Sequence, residues 1–301
     1  MALVGNCAKD ILKSAMSKII GQIYKAHSDS FSVMASDKLI NCRARGLLKA
    51  KGYGLSVGDY VDLENKVITS VHDRKNHFIR PNVSNVDCVI GVFSPEPKPD
   101  YYIIDKLYIN AIKESAEFII VVNKNDISRQ VFDEIKGEYA ELGIKIFSVS
   151  SDTLDGVDTL KEFIKGKLSV LAGQSAAGKT SLINAMFGLN LRTGELSEKI
   201  LRGKHTTTRS EIFECDGVRI VDSPGFAVLD AQVNIKELPE CYPEYYEVSS
   251  ECKFRGCAHV NEPNCKVKEL VEKGVFSKER YLRYKEIYDE ISKRRTYYEK
   301  D

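Results

Sequence analysis

Eight consecutive residues, Gly173-Gln174-Ser175-Ala176-Ala177-Gly178-Lys179-Thr180, carry the spacing GxxxxGK(S/T). Each residue type in that pattern has a use in holding a polyphosphate. A glycine-rich turn lets several backbone N–H groups point at one phosphate, and the start of a following helix adds partial positive charge. Lys179 is the candidate to reach β- and γ-phosphates, Thr180 to ligate Mg²⁺ through its hydroxyl, and Ser181 continues the loop into the helix. Further on, Asp222-Ser223-Pro224-Gly225 matches DxxG. There the aspartate is expected to hold the Mg²⁺ through water and the Gly225 N–H to sense a γ-phosphate.

A third motif, Asn123-Lys124-Asn125-Asp126, precedes both. The Asp126 carboxylate can accept hydrogen bonds from N1–H and the 2-amino group of guanine, an arrangement of donors that adenine lacks. Hydrogen bonds to a charged group contribute about 1.5–3 kcal/mol each, so this motif favours GTP over ATP. Ser150-Ser151 sits after the next apolar stretch, where small residues let backbone N–H groups approach the guanine carbonyl. The order is therefore base recognition, then phosphate loop, then γ-phosphate sensing, whereas an ordinary GTPase runs from phosphates to base. Ligand loops at the C-terminal ends of parallel strands depend on strand position, so chain order can be permuted without disturbing the pocket.

Between the phosphate loop and DxxG lies Gly203-Lys204-His205-Thr206-Thr207-Thr208. Thr207 or Thr208 is expected to complete the Mg²⁺ shell in the GTP state and to release it after hydrolysis, with Thr208 carried as the magnesium ligand. Phe226 stands where many GTPases place a water-orienting glutamine. Phenylalanine cannot orient water, so intrinsic hydrolysis is expected to be slow, with the missing group supplied by a moving residue such as His205 or by a partner. A fourth cluster, Cys252-x4-Cys257-x-His259-x5-Cys265, gathers thiols and an imidazole at the spacing of a closed, structural Zn²⁺ site. Cys7, Cys42, Cys88, Cys215 and Cys241 have no partner at metal spacing and are read as free thiols.

The elements that must position these groups follow from the pattern of apolar residues. Val86–Phe93, Phe118–Val122, Ile144–Val149, Leu168–Ala172 and Val218–Val221 are short apolar runs of the kind buried on both faces of a sheet. Helix-like stretches at 101–115 and 153–166 alternate with them, which predicts a doubly wound parallel sheet over 83–232. The segment 18–82 has short alternating stretches broken by Gly, Asp, Ser and Asn, as a small OB-like β-barrel would. Its stretch from Lys38 to Lys51 holds five basic residues and no acid, a candidate RNA-facing surface. Residues 1–17 form an N-terminal extension with a short amphipathic helical pattern at 8–16. The part from 233 to 301 collects the cysteines and ends in a helical stretch whose stripe Tyr281, Tyr284, Tyr288 and Ile291 reads as core packing. The fold class is multidomain: barrel, central α/β GTPase domain, and a mainly helical zinc-binding domain.

Lys+Arg 44 against Asp+Glu 43 leaves no global field, so a nucleic-acid partner must be met by local patches. No apolar run approaches the ~20 residues that span a bilayer, and eight cysteines without a signal-peptide pattern point to a reducing compartment.

Together NKND, VSS, GQSAAGKTSL, GKHTTT, DSPGF and CKFRGCAHVNEPNC resemble the bacterial ribosome small subunit-dependent GTPase A family. AAGKT stands where that family usually has GVGKS, and DSPG where it has DTPG, both keeping the essential chemistry. The resemblance implies a circularly permuted GTPase acting late in maturation of the small ribosomal subunit, with hydrolysis stimulated by that subunit. It also implies rRNA contact through the barrel and zinc domain, release of an assembly factor, and a monomeric, cytoplasmic protein that uses Mg²⁺ with GTP and has no membrane partner. A GTPase acting on another target, or a nucleotide-binding RNA module that never hydrolyses, are the competing readings.

Overall fold

In a computed structural model the described residues are 18–27, 30–45, 54–188, 210–222 and 231–298. The amphipathic pattern at 8–16, Lys49 and Lys51, and the loop residues His205, Thr207, Thr208, Gly225 and Phe226 lie outside them. The chain divides into two compact units, one built on residues up to Asn85 and the other on Val86 onward, with the stretch 208–224 divided between them.

In the first unit five strands, β1 (Ile19–Ala26), β2 (Phe31–Ala35), β3 (Lys38–Ala44), β4 (Tyr60–Glu64) and β5 (Val67–Val71), close into a barrel. Their order is β1-β2-β3-β5-β4, and β4 returns to pair with β1. Every pairing is antiparallel except β3 with β5. Two-residue turns with positive φ at both positions, Ser36-Asp37 and Asn65-Lys66, join β2 to β3 and β4 to β5. That geometry matches the twist of the strands it connects. Strand alternation sends Phe31, Val33, Val61, Leu63 and Ile68 into one core with Ile23 and Cys42. Two short strands follow, β6 (His77–Phe78) and β7 (Val83–Ser84). β7 is tied to the barrel by Ser84 N–H donating to Val57 O at 2.8 Å, and the chain ahead of β6 by Arg74, whose guanidinium donates to both oxygens of the fully buried Asp59 at 2.7 and 2.8 Å.

The second unit is organised by a parallel sheet of β8 (Cys88–Phe93), β9 (Glu117–Val122), β10 (Lys145–Ser148), β11 (Leu168–Gly173) and β13 (Val218–Asp222). β12 (Glu211–Cys215) precedes β13 across the Asp216-Gly217 turn. The parallel part runs β10-β9-β8-β11-β13. The chain thus moves outward from β8 to β10, then returns to the other side of β8, making β8/β11 the place where strand order reverses. Five helices matter here: α1 (Tyr101–Lys113), α2 (Gln130–Tyr139), α3 (Val157–Ile164), α4 (Lys179–Phe187) and, at the C-terminus, α7 (Lys278–Tyr298). The short α5 (Pro243–Val248) and α6 (Lys266–Glu272) lie between. Alternate strand residues Ile90, Val92, Ile119 and Val121 pack on α3 and α4 through Leu160, Ile164, Leu182 and Ile183. The other face meets α1, with Tyr108 against Phe118 at 5.8 Å between ring centroids.

The C-terminal segment shares its core with α1: Ile109 joins Leu238, Tyr242, Tyr245, Tyr284 and Ile287 in one buried cluster. The expected tyrosine stripe is there, with Tyr281, Tyr284 and Ile291 buried and Tyr288 packed against them. Among the described residues no helix is long and apolar enough to cross a membrane.

Candidate nucleotide site and metal centre

Parallel strands place the loops after β8, β9, β10 and β11 at one end of the sheet, where an open α/β fold binds its ligand. β11 delivers Gly173, and α4 starts at Lys179 with Gly178 as its N-cap. Two glycines of this loop are required by close approach. Gly173 has φ +125°, and a Cβ there would meet the Val92 carbonyl oxygen at 2.2 Å. Gly178 has φ +87°, and a Cβ there would meet Asn123 Nδ2 at 2.3 Å. The glycine-rich loop runs straight into the N-terminus of α4, and a helix N-terminus is the anion-binding end of any helix.

Asn123 is the hub that brings the predicted groups together. It is 1 % exposed. Its Nδ2 donates to the carbonyls of Ala177 and Gly178 at 3.2 and 3.4 Å. Its Oδ1 accepts from the Ser151 N–H at 3.0 Å and from the Ser151 hydroxyl at 2.9 Å. One amide thus fixes the glycine-rich loop and the Ser150-Ser151 loop relative to the end of β9. Lys124 adds a second tie, its ammonium donating to Ala176 O at 3.0 Å and Glu96 O at 2.5 Å. Asn125 donates through Nδ2 to Asp155 Oδ2 at 2.8 Å, and its own N–H donates to Val149 O at 3.0 Å. Asp126 follows on the exposed part of this loop, free to present its carboxylate outward. Lys179 lies over the loop, donating to the carbonyls of Gly173 and Gln174 at 2.9 and 2.6 Å.

Two contributors were not visible as such in the motif. The side-chain amide of Gln174 donates to Lys98 O at 3.1 Å and accepts from Asp100 N–H at 3.0 Å. Asp155, which anchors Asn125, sits in a loop that carries no motif of its own. Thr180, Ser181, Ser175, Ala176 and Ala177 occupy the expected loop and helix positions, and Asp222 is the last residue of β13. On the barrel, Lys38, Arg43 and Arg45 are exposed, as an outward basic strand requires.

The ligand atoms of Cys252, Cys257, His259 and Cys265 all lie within 4.8 Å of one another. Three of the separations are Cys252 Sγ to Cys265 Sγ at 4.0 Å, Cys252 Sγ to His259 Nδ1 at 3.7 Å, and His259 Nδ1 to Cys265 Sγ at 3.4 Å. A tetrahedral Zn²⁺ at normal bond lengths needs about 3.8 Å between sulfurs and about 3.5 Å between sulfur and nitrogen. The residues fit that ion. Burial holds His259 in its neutral, ligating form by lowering its pKa, and pushes the Cys257 thiol up to about 12 and that of Cys265 upward too. Two buried thiols so disfavoured as thiolates are what a bound dication would compensate. The loop is braced from outside: Tyr281 OH donates to His259 O at 2.8 Å and Tyr284 OH to Ala258 O at 2.6 Å. The Glu262 carboxylate accepts from the N–H groups of Ala258, Val260 and Asn261 at 2.8–3.1 Å. Of the other cysteines described, Cys42, Cys88 and Cys241 are buried and unbridged, and Cys215 is exposed.

Residues 71–232 match the family model described as RsgA GTPase, and residues 20–69 match that of the RsgA N-terminal domain. A protein of Geobacillus sp. (strain WCH70), named small ribosomal subunit biogenesis GTPase RsgA, is 36 % identical over 290 residues, covering 92 % of this chain and 99 % of the relative. The protein of the same name from Agathobacter rectalis is 39 % identical over 271 residues, covering 86 % of this chain and 90 % of the relative. Among solved structures, YjeQ from Thermotoga maritima superposes with TM-score 0.76 at 34 % identity, covering 91 % of this chain and 99 % of that one. YloQ, a circularly permuted GTPase, superposes with TM-score 0.75 at 31 % identity, covering 93 % and 97 %. The Asn123–Asp126 loop comes before the glycine-rich loop in sequence yet is bonded to it through Asn123, an order that suits a permuted GTPase, and this chain belongs to the RsgA GTPase family.

Proposed function

We propose that this protein is a GTPase of small ribosomal subunit biogenesis: it binds the subunit, hydrolyses GTP slowly alone and faster on the subunit, and promotes release of an assembly factor. The observation that carries the nucleotide half is the Asn123 hub, which holds the three binding loops in one arrangement. In this reading Asp126 accepts from the guanine edge, with Asn125 and Asp155 fixing its loop. The N–H groups of 174–180 receive the phosphates and Lys179 neutralises the β,γ bridge. Thr180, Asp222 and Thr208 would hold Mg²⁺, which supplies charge compensation at the phosphates when bound. With Phe226 unable to orient water, His205 or a group of the subunit serves that end. The cysteine–histidine cluster holds one structural Zn²⁺, and the barrel and zinc segment meet rRNA. The names carried by the relatives support the ribosomal half, and the same reading makes the protein a cytoplasmic monomer.

The test is GTP turnover by purified protein with and without small ribosomal subunits at two salt concentrations. Stimulation that weakens with salt is expected. Equal rates with and without subunits would remove the ribosomal half, while Asp126→Asn binding GTP as well as wild type would remove the base-reading assignment. His205→Ala with unchanged subunit-stimulated turnover would leave the subunit as the source of the water-positioning group.

A further inference from the structure

The turn between the first two metal-site cysteines displays a side chain that the fold does not use. Phe254 lies between Cys252 and Cys257 and is 43 % exposed, while Cys257 is 6 % exposed. It is not among the residues of the apolar cluster that takes in both of those cysteines. A single exposed ring is ordinary by itself; what sets this one apart is its surroundings. Its neighbours are cations: the Lys253 ammonium stands 5.6 Å from the ring centroid, and Arg255 is exposed on the other side. Among the described residues no carboxylate pairs with either of them, whereas Lys266, further along, is engaged by Glu251 and Glu269 at 3.2 and 3.6 Å. Between 252 and 268 the chain carries Lys253, Arg255, Lys266 and Lys268 against one acid, Glu262. That carboxylate is turned inward onto three backbone N–H groups.

We infer that Phe254 is a stacking platform for an unpaired RNA base, with Lys253 and Arg255 holding the phosphates on either side of it. The chemistry selects this partner over others. A protein hot spot built on phenylalanine has its ring at the centre of an apolar, charge-depleted patch, and here the ring is flanked by unpaired cations. Duplex RNA offers phosphates but no free base face. A single strand offers both, and base-on-aromatic stacking is tolerant of sequence because every base has a π-face. The turn is also short and held at both ends by residues of the metal cluster, and the Lys253 N–H is tied to Asn264 O at 3.3 Å. The ring is therefore presented with little freedom left to lose. This contact rests on the ribosomal reading, in which the partner is RNA-rich, and it specifies which part of the zinc segment touches RNA and which form of RNA it takes.

The experiment uses the zinc-loaded full chain and a 10-nucleotide single-stranded RNA carrying 2-aminopurine, alongside an RNA duplex of equal length. Phe254→Leu keeps an apolar side chain and removes the π-face; Phe254→Trp keeps the π-face. The expected result is that Phe254→Leu loses the 2-aminopurine emission change and weakens single-strand binding about 5- to 100-fold, Phe254→Trp retains both, and duplex binding is unchanged in each. Lys253→Ala with Arg255→Ala should lower the slope of log affinity against log salt by about 1.4, the share of two phosphate contacts on a single strand. Unchanged zinc content shows that the loop still folds. Single-strand binding by Phe254→Leu equal to wild type overturns the inference, as does an equal loss on the duplex. A loss on whole subunits with the oligonucleotide unaffected assigns the ring to a protein and overturns it too. Subunit-stimulated GTP turnover by the wild type tests the ribosomal reading separately: stimulation without a ring effect sinks only this contact.

Discussion

The side-chain amide of Gln174 bridges to the loop after β8, accepting from the N–H of Asp100 at 3.0 Å while donating to Lys98 O at 3.1 Å. Asp100 is in turn the N-cap of α1, its carboxylate accepting from Tyr102 N–H at 2.9 Å. The second residue of the phosphate loop is therefore joined, through one helix cap, to the helix that packs against the C-terminal segment. β8 and β11 are also the strands between which chain order reverses, so this bridge closes the crevice at its natural ligand position.

Removing that bridge should loosen the phosphate loop without touching the reacting atoms. Two neutral hydrogen bonds contribute about 0.5–1.5 kcal/mol each. Gln174→Ala is expected to raise the KM for GTP at least about 5-fold with kcat nearly unchanged, read from steady-state turnover. Gln174→Glu should do no better, because its carboxylate would face the Lys98 carbonyl oxygen. A fall in kcat with KM unaltered would mean Gln174 acts on the reaction and not on the loop.

Gly178→Ala confronts both backbone and neighbour. Left-handed backbone costs a Cβ-bearing residue about 1–2 kcal/mol, and the new methyl meets Asn123 Nδ2 at 2.3 Å. Asn123 must then release its bonds to the phosphate loop and to Ser151. Nucleotide affinity should fall at least about 100-fold, checked by titration with a fluorescent GTP analogue. Adding Asn123→Ala relieves the clash but not the lost hub, so the double variant should bind no better.

The motifs were legible because their chemistry is local: GxxxxGKT needs only a strand before it and a helix after it, and β11 and α4 provide them. The barrel was legible through strand alternation and its polar turns. The partner of Gln174 was not, because it lies 76 positions away and is main chain, which leaves no side-chain signature. α2 was passed over, although Val131, Ile135 and Tyr139 form one buried stripe at spacings of four, because four of the six residues between them are charged. Asp105 offered a hint, a carboxylate in the middle of the apolar helix YYIIDKLYINAIK. Its partner Arg280 is 175 positions away, and only the fold joins them.

Asp105 is fully buried and holds two guanidinium groups, Arg280 and Arg283, while also accepting from Tyr139 OH at 2.8 Å. Taking away one member of a buried ion pair costs about 3–5 kcal/mol, because the remaining charge is left uncompensated. Asp105→Ala leaves Arg280, itself only 3 % exposed, with Glu244 as its one remaining carboxylate, and Arg283 with Glu138 alone, so a large drop in thermal midpoint is expected, with α7 coming away from α1. Asp105→Asn should recover little of it. A shift in midpoint of a degree or two, by calorimetry, would show that the surroundings re-satisfy both arginines.

Glu290 gives the same helix pair a pH dependence. Burial acts to raise its pKa, but hydrogen bonds from Lys106, Tyr102 and Arg294 outweigh that and hold the carboxyl below its ordinary value. A lowered folded pKa contributes stability that is complete above the unfolded value of about 4.3 and is lost as pH falls through the folded one. Acid should therefore loosen the α1–α7 contact below about pH 4, and Glu290→Gln should remove that part of the acid sensitivity. Proton-linked unfolding of the two proteins between pH 3 and 6 compares them directly.

Stripping the metal should divide the C-terminal segment and not release it whole. The cysteine–histidine loop has hydrogen bonds from Tyr281, Tyr284 and Glu262 besides the ion, but those are modest beside the roughly 10–16 kcal/mol that structural zinc contributes in small finger domains. Tyr281 and Tyr284 lose the carbonyls of His259 and Ala258 when that loop opens. α7 keeps other anchors: Arg280 and Arg283 on Asp105, and Glu290 on Tyr102 and Lys106. Hydrogen exchange after chelation is thus expected to speed up across 252–268, with 280–291 still protected and GTP affinity within about 2-fold of its starting value, since none of the loops tied by Asn123 draws on the metal cluster. Exchange rising equally along α7 would place the metal, and not the Asp105 network, as the fastening of the helix. A loss of GTP binding would show that the two sites are energetically joined, for which the bridge from Gln174 through α1 is the physical route.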